Sequence, residues 1–379
     1  MKVVLAIDSF KGSLSSVQAG MAAAEGIRRA FPEAVTVVRP IADGGEGTVD
    51  ALAEGLGGSM QYVEVTGPLG GKVSAAYAIV DGKTAVMEMS AAAGITLVEP
   101  RERNPLNTTT YGVGEMIRDA VSKGCRNFIM GIGGSATNDG GIGMLQALGF
   151  GILDSSGNAV PLGGKGLEKL SKIDKLGAMP ELKECTFNIA CDVTNPLCGA
   201  EGCSAVYGPQ KGADETMVSQ MDNWLENYAR IVKGIFPEAD KDTPGAGAAG
   251  GIGFAFLAFL SGRLERGIDL ILKETGLESY IKDADLVVTG EGRLDSQTAM
   301  GKAPSGVSAI AKKYNKPVIA FSGSVTPEAR VCNDCGIDAF FPILRTVCTL
   351  EEAMNTDNAY ANMTAAAEQA ARLLKINLN

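Results

Sequence analysis

Carboxylates, cations and hydroxyls occur together in several glycine-rich loops of this chain, and each of these loops directly follows an apolar run. Phosphoryl transfer needs this set of groups. Backbone amides and cations hold phosphate oxygens, carboxylates hold Mg²⁺, and a further carboxylate orients the accepting hydroxyl. The chain contains no histidine, which excludes Ser-His-Asp and Cys-His catalysis and every metal site that contains histidine.

The most conspicuous loop spans 131–141, after the apolar run 127–130, and contains five glycines, two hydroxyls, an amide and a carboxylate. Glycines allow successive backbone N–H groups to turn toward an anion. The alternative is a turn that only links a strand to the helix beginning near Ile142. Asp139 could be a metal ligand or an acceptor that braces the loop. The residues predicted to bind nucleotide phosphates here are Gly133, Gly134, Ser135, Thr137, Asn138 and Asp139.

The same loop partly fits a dinucleotide-binding fingerprint. Residues 131–136 match G-x-G-x-x-A, and Asp154 ends a predicted strand about 18 residues after the motif, as such a fold requires. A Rossmann helix should begin within the glycine motif, whereas residues 138–141 delay the helix. A nicotinamide-dependent hydroxy-acid oxidoreductase is therefore the less favoured alternative.

Two loops near the amino terminus follow predicted strands. Asp8, Ser9 and Lys11 come after the run 2–7, where parallel sheets place ligand-binding residues. Asp43 and Glu46 follow the second strand. They could share a metal ion, or they could only stabilise a helix N-terminus through the helix dipole. We predict that Asp8 and Lys11 take part in catalysis and that Asp43 and Glu46 compete for Mg²⁺. A solvated loop and a helix cap are the alternatives for the first loop.

Two further groups of candidate residues lie in the middle of the chain. Asp192, at the end of the predicted strand 187–193, could be a catalytic base or a magnesium ligand. The alternative is that its side chain only forms an Asx turn before Pro196. Ser90, Thr108 and Thr109 could bind a carboxylate or phosphate, although Thr also caps helices.

The segment 290–304 has four charged groups of both signs among glycines and hydroxyls, more than a plain turn requires. It follows the buried strand pattern at 284–289, and we interpret it as a functional loop. Its predicted nucleotide-binding residues are Gly290, Gly292 and Lys302, its candidate magnesium ligands are Glu291 and Asp295, and Arg293 is a candidate for binding a carboxylate.

Alternating strand and helix patterns predict an α/β protein. Short β-rich segments between 61 and 90 indicate a mixed sheet and a change of domain near residue 62. Predicted helices include 16–31, 214–234 and 358–374, and a buried helix at 252–260 follows a glycine loop. We expect a Rossmann-like three-layer α/β/α domain formed by 1–62 and 283–379, and a second α/β domain with a mixed sheet at 63–282.

The net charge of −10 and the lack of a basic block argue against nucleic-acid binding. The uncharged stretch 244–262 is too rich in glycine for a membrane span. The eight cysteines form no secreted framework, the lone Cys332-x-x-Cys335 pair is a weak zinc signal, and Asp8 comes too early for a signal peptide. We expect a cytoplasmic protein with small-molecule substrates, and no oligomeric state follows from the pattern.

Seven of these stretches, in order along the chain, resemble the motifs of the type 1 glycerate kinases. They are Asp-Ser-Phe-Lys-Gly-Ser at 8–13, Ala-Asp-Gly-Gly-Glu-Gly-Thr at 42–48, Gly-Gly-Ser-Ala-Thr-Asn-Asp-Gly-Gly at 133–141, Cys-Asp-Val-Thr-Asn-Pro-Leu at 191–197, Gln-Lys-Gly-Ala at 210–213, Gly-Ala-Ala-Gly-Gly at 247–251 and Thr-Gly-Glu-Gly-Arg-Leu-Asp at 289–295. The resemblance implies ATP-dependent phosphorylation of glycerate with Mg²⁺ by a cytosolic enzyme of two α/β domains, with both termini in one domain.

Within that implied reaction, residue chemistry suggests individual roles. The planar fork of Arg293 suits the glycerate carboxylate, with Ser90, Thr108 and Thr109 beside it. Lys11 suits a phosphate, and Asp192 suits the orientation of the accepting hydroxyl. Members of this type are associated with 2-phosphoglycerate, so the 2-hydroxyl is favoured and the 3-hydroxyl is the alternative.

Overall fold

The structure is a computed structural model that describes residues 1–45 and 47–376. Its contacts divide the chain into two compact units. Unit 1 comprises Met1–Asp43, Asp50–Gly57 and Ile268–Asn379, and unit 2 comprises Gly44–Val49 and Gly58–Gly267. The predicted domain bounds, 1–62 with 283–379 and 63–282, stay a prediction.

The strands in the described residues follow chain order. They are β1 (Lys2–Ile7), β2 (Val35–Val38), β3 (Ser59–Thr66), β4 (Lys72–Val80), β5 (Thr84–Glu88), β6 (Asn127–Gly131), β7 (Gly151–Leu153), β8 (Lys172–Asp174), β9 (Thr186–Ala190), β10 (Arg263–Glu265), β11 (Leu286–Leu294), β12 (Val318–Val325) and β13 (Ala339–Pro342).

The α-helices alternate with these strands. They are α1 (Ser16–Ala30), α2 (Thr48–Leu56), α3 (Ser90–Ala93), α4 (Tyr111–Ser122), α5 (Ile142–Ala147), α6 (Lys165–Lys169), α7 (Cys203–Tyr207), α8 (Glu215–Lys233), α9 (Ala248–Phe259), α10 (Gly267–Glu274), α11 (Leu277–Ile281), α12 (Ser296–Ala299), α13 (Ala303–Lys313), α14 (Val331–Asp334), α15 (Leu350–Met354) and α16 (Thr356–Leu374). Short 3₁₀ helices span Ile95–Leu97, Pro100–Glu102, Pro180–Glu184, Pro209–Lys211 and Pro327–Arg330.

Unit 1 contains a parallel sheet with the strand order β13-β12-β11-β1-β2. Val3, Leu5 and Ile7 of β1 join a core cluster with α1 and α16. Val4 and Ala6 point to the opposite face and are also fully buried. Both faces of the sheet are therefore covered, as in other parallel α/β sheets, and the predicted three-layer arrangement is confirmed.

Unit 2 contains a six-stranded sheet with the order β10-β9-β6-β5-β4-β3. The strands from β10 to β5 are parallel to one another, whereas β4 and β3 pair in antiparallel fashion. A separate antiparallel pair joins β7 to β8. The predicted mixed sheet is confirmed, and the parallel part ends at Glu88, Gly131 and Ala190, where the polar loops begin.

The structure corrects the prediction that a loop begins directly after residue 289. Strand β11 continues to Leu294, because its last residues pair with an equally extended β12, with Arg293 opposite Ser324 and Leu294 opposite Val325. Strand β12 itself extends as far as Val325. Alternate residues of this extension point to opposite faces, so the charged side chains have defined directions.

The predicted glycine loop before the buried helix lies within the bounds of α9. Ala249, Gly250 and Gly251 have left-handed backbone angles, and regular helix follows from Ile252. A Cβ atom at Gly250 would collide with the carbonyl oxygen of Thr137. Glycine is required at this position because the chain packs directly against the 131–141 loop, where the Gly140 amide donates to the Gly250 carbonyl at 2.9 Å.

Candidate functional site

A cavity of about 380 Å³ opens in unit 1, beside the carboxyl ends of β1, β11 and β12. This is the edge of a parallel sheet at which ligands bind in open α/β folds. The cavity brings together seven predicted site residues from three separate parts of the chain: Asp8, Lys11, Asp43, Glu291, Gly292, Arg293 and Lys302.

Asp8 lies at the end of β1 and is 5% exposed. Its amide donates to the Gly290 carbonyl at 2.9 Å, which places Asp8 beside the middle of β11. Burial is the main reason that the pKa of Asp8 is raised to about 7, and the Asp43 carboxylate adds to this shift. The Ser9 amide, which donates to Asp8 Oδ1 at 2.6 Å, opposes it. Asp8 is thus a carboxyl group whose charge changes near neutral pH.

Glu291 lies one residue further along β11 and is 8% exposed. Burial raises its pKa, while a 2.6 Å hydrogen bond from the Thr298 hydroxyl favours the ionised form. Asp295 caps α12 by accepting the Gln297 amide at 2.9 Å, and its own amide donates to Thr298. Helix α12 is therefore tied to the carboxylate that enters the cavity.

Arg293 is largely exposed, with 65% of its side chain accessible. Its Nε lies 3.5 Å from Asp295 Oδ2. An exposed pair of this length constrains a guanidinium group only weakly. The planar fork of Arg293 therefore stays available for an anionic ligand in the cavity.

One wall of the cavity is apolar. It is formed by Ile343 and Leu344 after β13 and by Leu350, Ala353 and Met354 of α15. Leu350 is 78% exposed. Exposed apolar side chains beside a charged floor are typical of pockets that bind a ligand with both a flat apolar part and a charged part.

The predicted magnesium ligands are only partly brought together. Asp43 and Glu291 line the cavity, Asp295 acts as a helix cap, and Glu46 lies outside the described residues. Within the described residues, no three acidic or cysteine side chains form a ligand cluster. Mg²⁺ in phosphoryl-transfer sites is held by one or two carboxylates together with phosphates and waters, so Asp43 and Glu291 fit that donor set.

The 131–141 loop belongs to unit 2. Gly133 and Gly134 are exposed, and Ser135 is 7% exposed. Anchoring hydrogen bonds flank this tip, from the Ile95 amide to the Gly134 carbonyl and from the Ala136 amide to the Ala93 carbonyl. Helix α5 begins only at Ile142. The late helix start, predicted from the sequence, separates the loop from a dinucleotide fingerprint.

The second half of this loop is buried. Asn138 Nδ2 donates to Ser204 Oγ at 2.8 Å. The carboxylate of Asp139 accepts hydrogen bonds from the amide and hydroxyl of Thr110 and from the Gly141 amide. Burial raises the pKa of Asp139, and these hydrogen bonds oppose the shift. Of the two roles left open by the sequence, the contacts of Asp139 are those of a bracing acceptor. Thr137, also fully buried, contributes its carbonyl oxygen.

The three hydroxyl-bearing residues predicted to bind substrate differ in how exposed they are. Ser90 is half-buried, and its Oγ lies 3.5 Å from Glu88 Oε2. Thr108 and Thr109 are each 1% exposed. The Thr108 hydroxyl donates to the Ala136 carbonyl at 2.9 Å, and Thr109 Oγ1 accepts the Tyr111 amide at 3.1 Å. The two threonines hold the loop from beneath, and Ser90 is the most accessible of the three.

Asp192 follows β9 and is exposed. Its Oδ1 accepts the Gly267 amide at 2.9 Å. The hydrogen bond holds the side chain at the carboxyl edge of the mixed sheet. A carboxylate fixed in this way has lost part of its rotamer freedom before it meets a ligand, as a group that orients a hydroxyl should.

Sequence reasoning assigned no role to Lys211, which the structure places under the tip of the 131–141 loop. Its Nζ donates to Ser135 Oγ at 2.9 Å and to the Thr137 carbonyl at 2.7 Å. The signal that could have revealed it was the Gln-Lys-Gly-Ala stretch at 210–213, a family-like motif around an unexplained lysine.

No helix in the described part of the chain has the length and apolar character that crossing a membrane requires.

The chain is similar to known proteins over almost its whole length. The family model described as "Glycerate kinase family" matches residues 3–375. The chain is 49% identical over 379 residues to the glycerate 2-kinase of Escherichia coli K12, covering 100% of this chain and 99% of that protein. It is 47% identical over 375 residues to the glycerate kinase of Haemophilus influenzae, covering 99% of each.

A crystal structure of a proposed glycerate kinase 2 from Salmonella typhimurium LT2 has the same fold. Its TM-score with this chain is 0.92 at 48% identity, covering 99% of this chain and 98% of the other. The match of the family model across nearly all residues and the identity with curated relatives lead to one conclusion: this chain belongs to the glycerate kinase family, a family of phosphotransferases.

Proposed function

We propose that this chain transfers the γ-phosphoryl group of ATP to D-glycerate, giving ADP and phosphoglycerate, with Mg²⁺ as the metal ion. The 2-hydroxyl is the favoured acceptor, and the 3-hydroxyl is the alternative. Enolase added without a mutase distinguishes the products, because it consumes 2-phosphoglycerate directly. The observation that carries the nucleotide assignment is the unit 1 cavity, which combines carboxylates, cations and an apolar wall.

The size and lining of the cavity support a nucleotide as one ligand. Glycerate has only seven non-hydrogen atoms and no apolar face, so it would leave most of a cavity of about 380 Å³ unfilled. A nucleobase offers a flat apolar surface for Leu344, Leu350 and Met354, while Lys11 and Lys302 can neutralise phosphate oxygens. Bound Mg²⁺, held by Asp43 or Glu291, would neutralise charge on the phosphates.

Three further site residues keep the roles proposed from their chemistry. Arg293 binds the glycerate carboxylate, Ser90 assists it, and Asp192 orients the accepting hydroxyl. The residues that approach phosphates are Gly133, Gly134, Ser135, Gly290 and Gly292. The 131–141 loop is held in place by Thr108, Thr109, Thr137, Asn138 and Asp139. Asp8 supplies a carboxyl group that titrates near neutral pH.

Leu350→Ser should raise the KM for ATP about 5- to 10-fold and leave the KM for glycerate unchanged, since it removes apolar contact area worth roughly 1 kcal/mol. Initial rates with each substrate varied in turn measure both constants. Val347→Ser is the matched control, because Val347 is fully exposed and does not line the cavity. A rise confined to the KM for glycerate would contradict the assignment of the apolar wall to the nucleobase.

Arg293→Lys should raise the KM for glycerate about 10-fold with a small change in kcat, because the ammonium keeps the charge but loses the bidentate fork. The same initial-rate measurements test this expectation. If only the KM for ATP rises, Arg293 belongs to the nucleotide instead.

A further inference from the structure

Lys211 is a buried cation that the proposed reaction does not yet use. It is 2% exposed and ends the 3₁₀ helix Pro209–Lys211. Among the described residues, no carboxylate lies within ion-pair distance of its Nζ. Burying an ammonium group without a direct ionic partner is costly. The two acceptors of its ammonium group are the Ser135 hydroxyl and the Thr137 carbonyl.

The charge state of Lys211 depends on its burial and on titratable groups from two surrounding segments. Burial is the main reason that its pKa is lowered to about 8, and the Asp139 carboxylate and the Cys203 thiol oppose that shift. Asp139 is itself occupied by Thr110 and Gly141. Lys211 is therefore mostly protonated at neutral pH and loses its charge in the mildly alkaline range.

The protonated ammonium fixes the direction of the Ser135 hydroxyl. An ammonium group has three donors and no acceptor, so Ser135 Oγ must accept from Lys211 and its own proton must point elsewhere. Ser135 stands beside the exposed Gly133 and Gly134, and Gly134 has a φ of +71°. Within the described residues, no acceptor receives the amides of residues 133–135. Three amides and one hydroxyl are thus available as donors at one loop tip, which is a nest for an anion.

We infer that Lys211 is a positioning residue that commits the Ser135 hydroxyl to donate a hydrogen bond to an oxyanion bound at the tip 133–135. The inference rests on the proposed function, in which this loop holds an anionic group of a substrate. A nucleotide phosphate and the glycerate carboxylate share the required chemistry. When Lys211 is neutral, its amine can accept the hydroxyl proton, and the anion then loses that donor.

A double-mutant cycle tests this inference with Lys211→Met, Ser135→Ala and the double variant. Each single change should raise the KM of one anionic substrate about 10- to 100-fold, the range of a hydrogen bond to a charged group. A rise for ATP identifies a phosphate at the tip, and a rise for glycerate identifies the carboxylate. The double variant should be no worse than Ser135→Ala alone, because Lys211 acts only through the Ser135 hydroxyl. Lys169→Met, at an exposed lysine of unit 2, should change neither KM.

A purely structural lysine would give a different result. If Lys211 only holds the Thr137 carbonyl, Lys211→Met weakens binding by the same factor with or without Ser135, and the inference is overturned. Lys211→Met could fail to fold. The pH dependence of KM in proteins that keep Lys211 therefore provides a second test. The KM of the affected substrate should rise above about pH 8 in the wild type and stay flatter in Ser135→Ala. Equal slopes in both proteins would contradict the inference.

Binding measurements distinguish failure of this inference from failure of the proposed kinase activity. If the wild type releases no ADP from ATP and glycerate, the same cycle is measured as equilibrium binding of ADP and of glycerate by calorimetry. Non-additive losses of affinity at Lys211 and Ser135 for either compound support the inference. Affinities for both compounds that do not depend on Ser135 refute it.

Discussion

Asp192→Asn should lower kcat by about two to four orders of magnitude with a modest change in the KM for glycerate. The substitution removes the negative charge that would orient the accepting hydroxyl and take its proton. An asparagine keeps an oxygen that can accept the Gly267 amide, so the backbone contact at 2.9 Å should survive. The loss would therefore report chemistry rather than a displaced chain. Steady-state kinetics measure it.

Asp154→Asn provides the control for this substitution. Asp154 lies in an exposed turn, where Oδ1 accepts the amides of Ser156 and Asn158, and it has no proposed role in the reaction. Its variant should keep the kcat of the wild type. A thermal melt shows whether Asp192→Asn is folded. A folded Asp192→Asn protein with near-normal kcat would remove Asp192 from the reaction.

Asp8→Asn should lower kcat/KM by about two orders of magnitude or more at pH 8, and by less at pH 6. The reason is the charge of Asp8: burial and the Asp43 carboxylate raise its pKa to about 7, so the wild type carries the carboxylate above that pH and a neutral carboxyl below it. Asparagine resembles the neutral form. The wild-type rate should fall as the pH drops through 7, and this acid limb should be absent from the variant.

Asp8→Asn should lower activity at pH 8 without lowering the stability of the fold at that pH. An aspartate whose pKa is raised on folding from about 3.9 contributes stability at low pH, and this contribution is lost as the pH rises through the folded value. Asparagine has no charge to bury, so the Tm of the variant at pH 8 should equal or exceed that of the wild type. A lower Tm would indicate that the ionised Asp8 is held by favourable contacts and that its pKa is not raised.

The sequence predicted the elements well where the pattern was strong. The helix expected at 214–234 is observed as Glu215–Lys233, with Asp214 accepting the Met217 amide as its N-cap, and the helix expected at 358–374 is Thr356–Leu374. Loop chemistry at the ends of buried strands was also informative. Asp8 and Glu291, predicted from loops almost 300 residues apart, lie in one cavity because β1 and β11 are parallel neighbours.

Other features depend on contacts that a sequence pattern does not contain. The extension of β11 past Thr289 depends on pairing with β12, although the residues are rich in glycine and charge. The apolar wall comes from Leu344, Leu350 and Met354, whose exposure and common direction follow only from the packed chain. Lys211 was missed because its importance comes from burial under a loop more than 70 residues away. Glu46 lies outside the described residues, and its role as a metal ligand stays a prediction.

Phosphorus NMR of the purified chain with ATP, Mg²⁺ and D-glycerate tests the central proposal most directly. We expect the signal of the ATP γ-phosphate to be replaced by those of ADP and of one phosphate monoester, identified as 2-phosphoglycerate by its consumption with enolase alone. Without D-glycerate the ATP spectrum should persist. An unchanged ATP spectrum in the complete mixture, or a change of absorbance at the nicotinamide band when glycerate is supplied with a nicotinamide cofactor instead, would contradict the proposal.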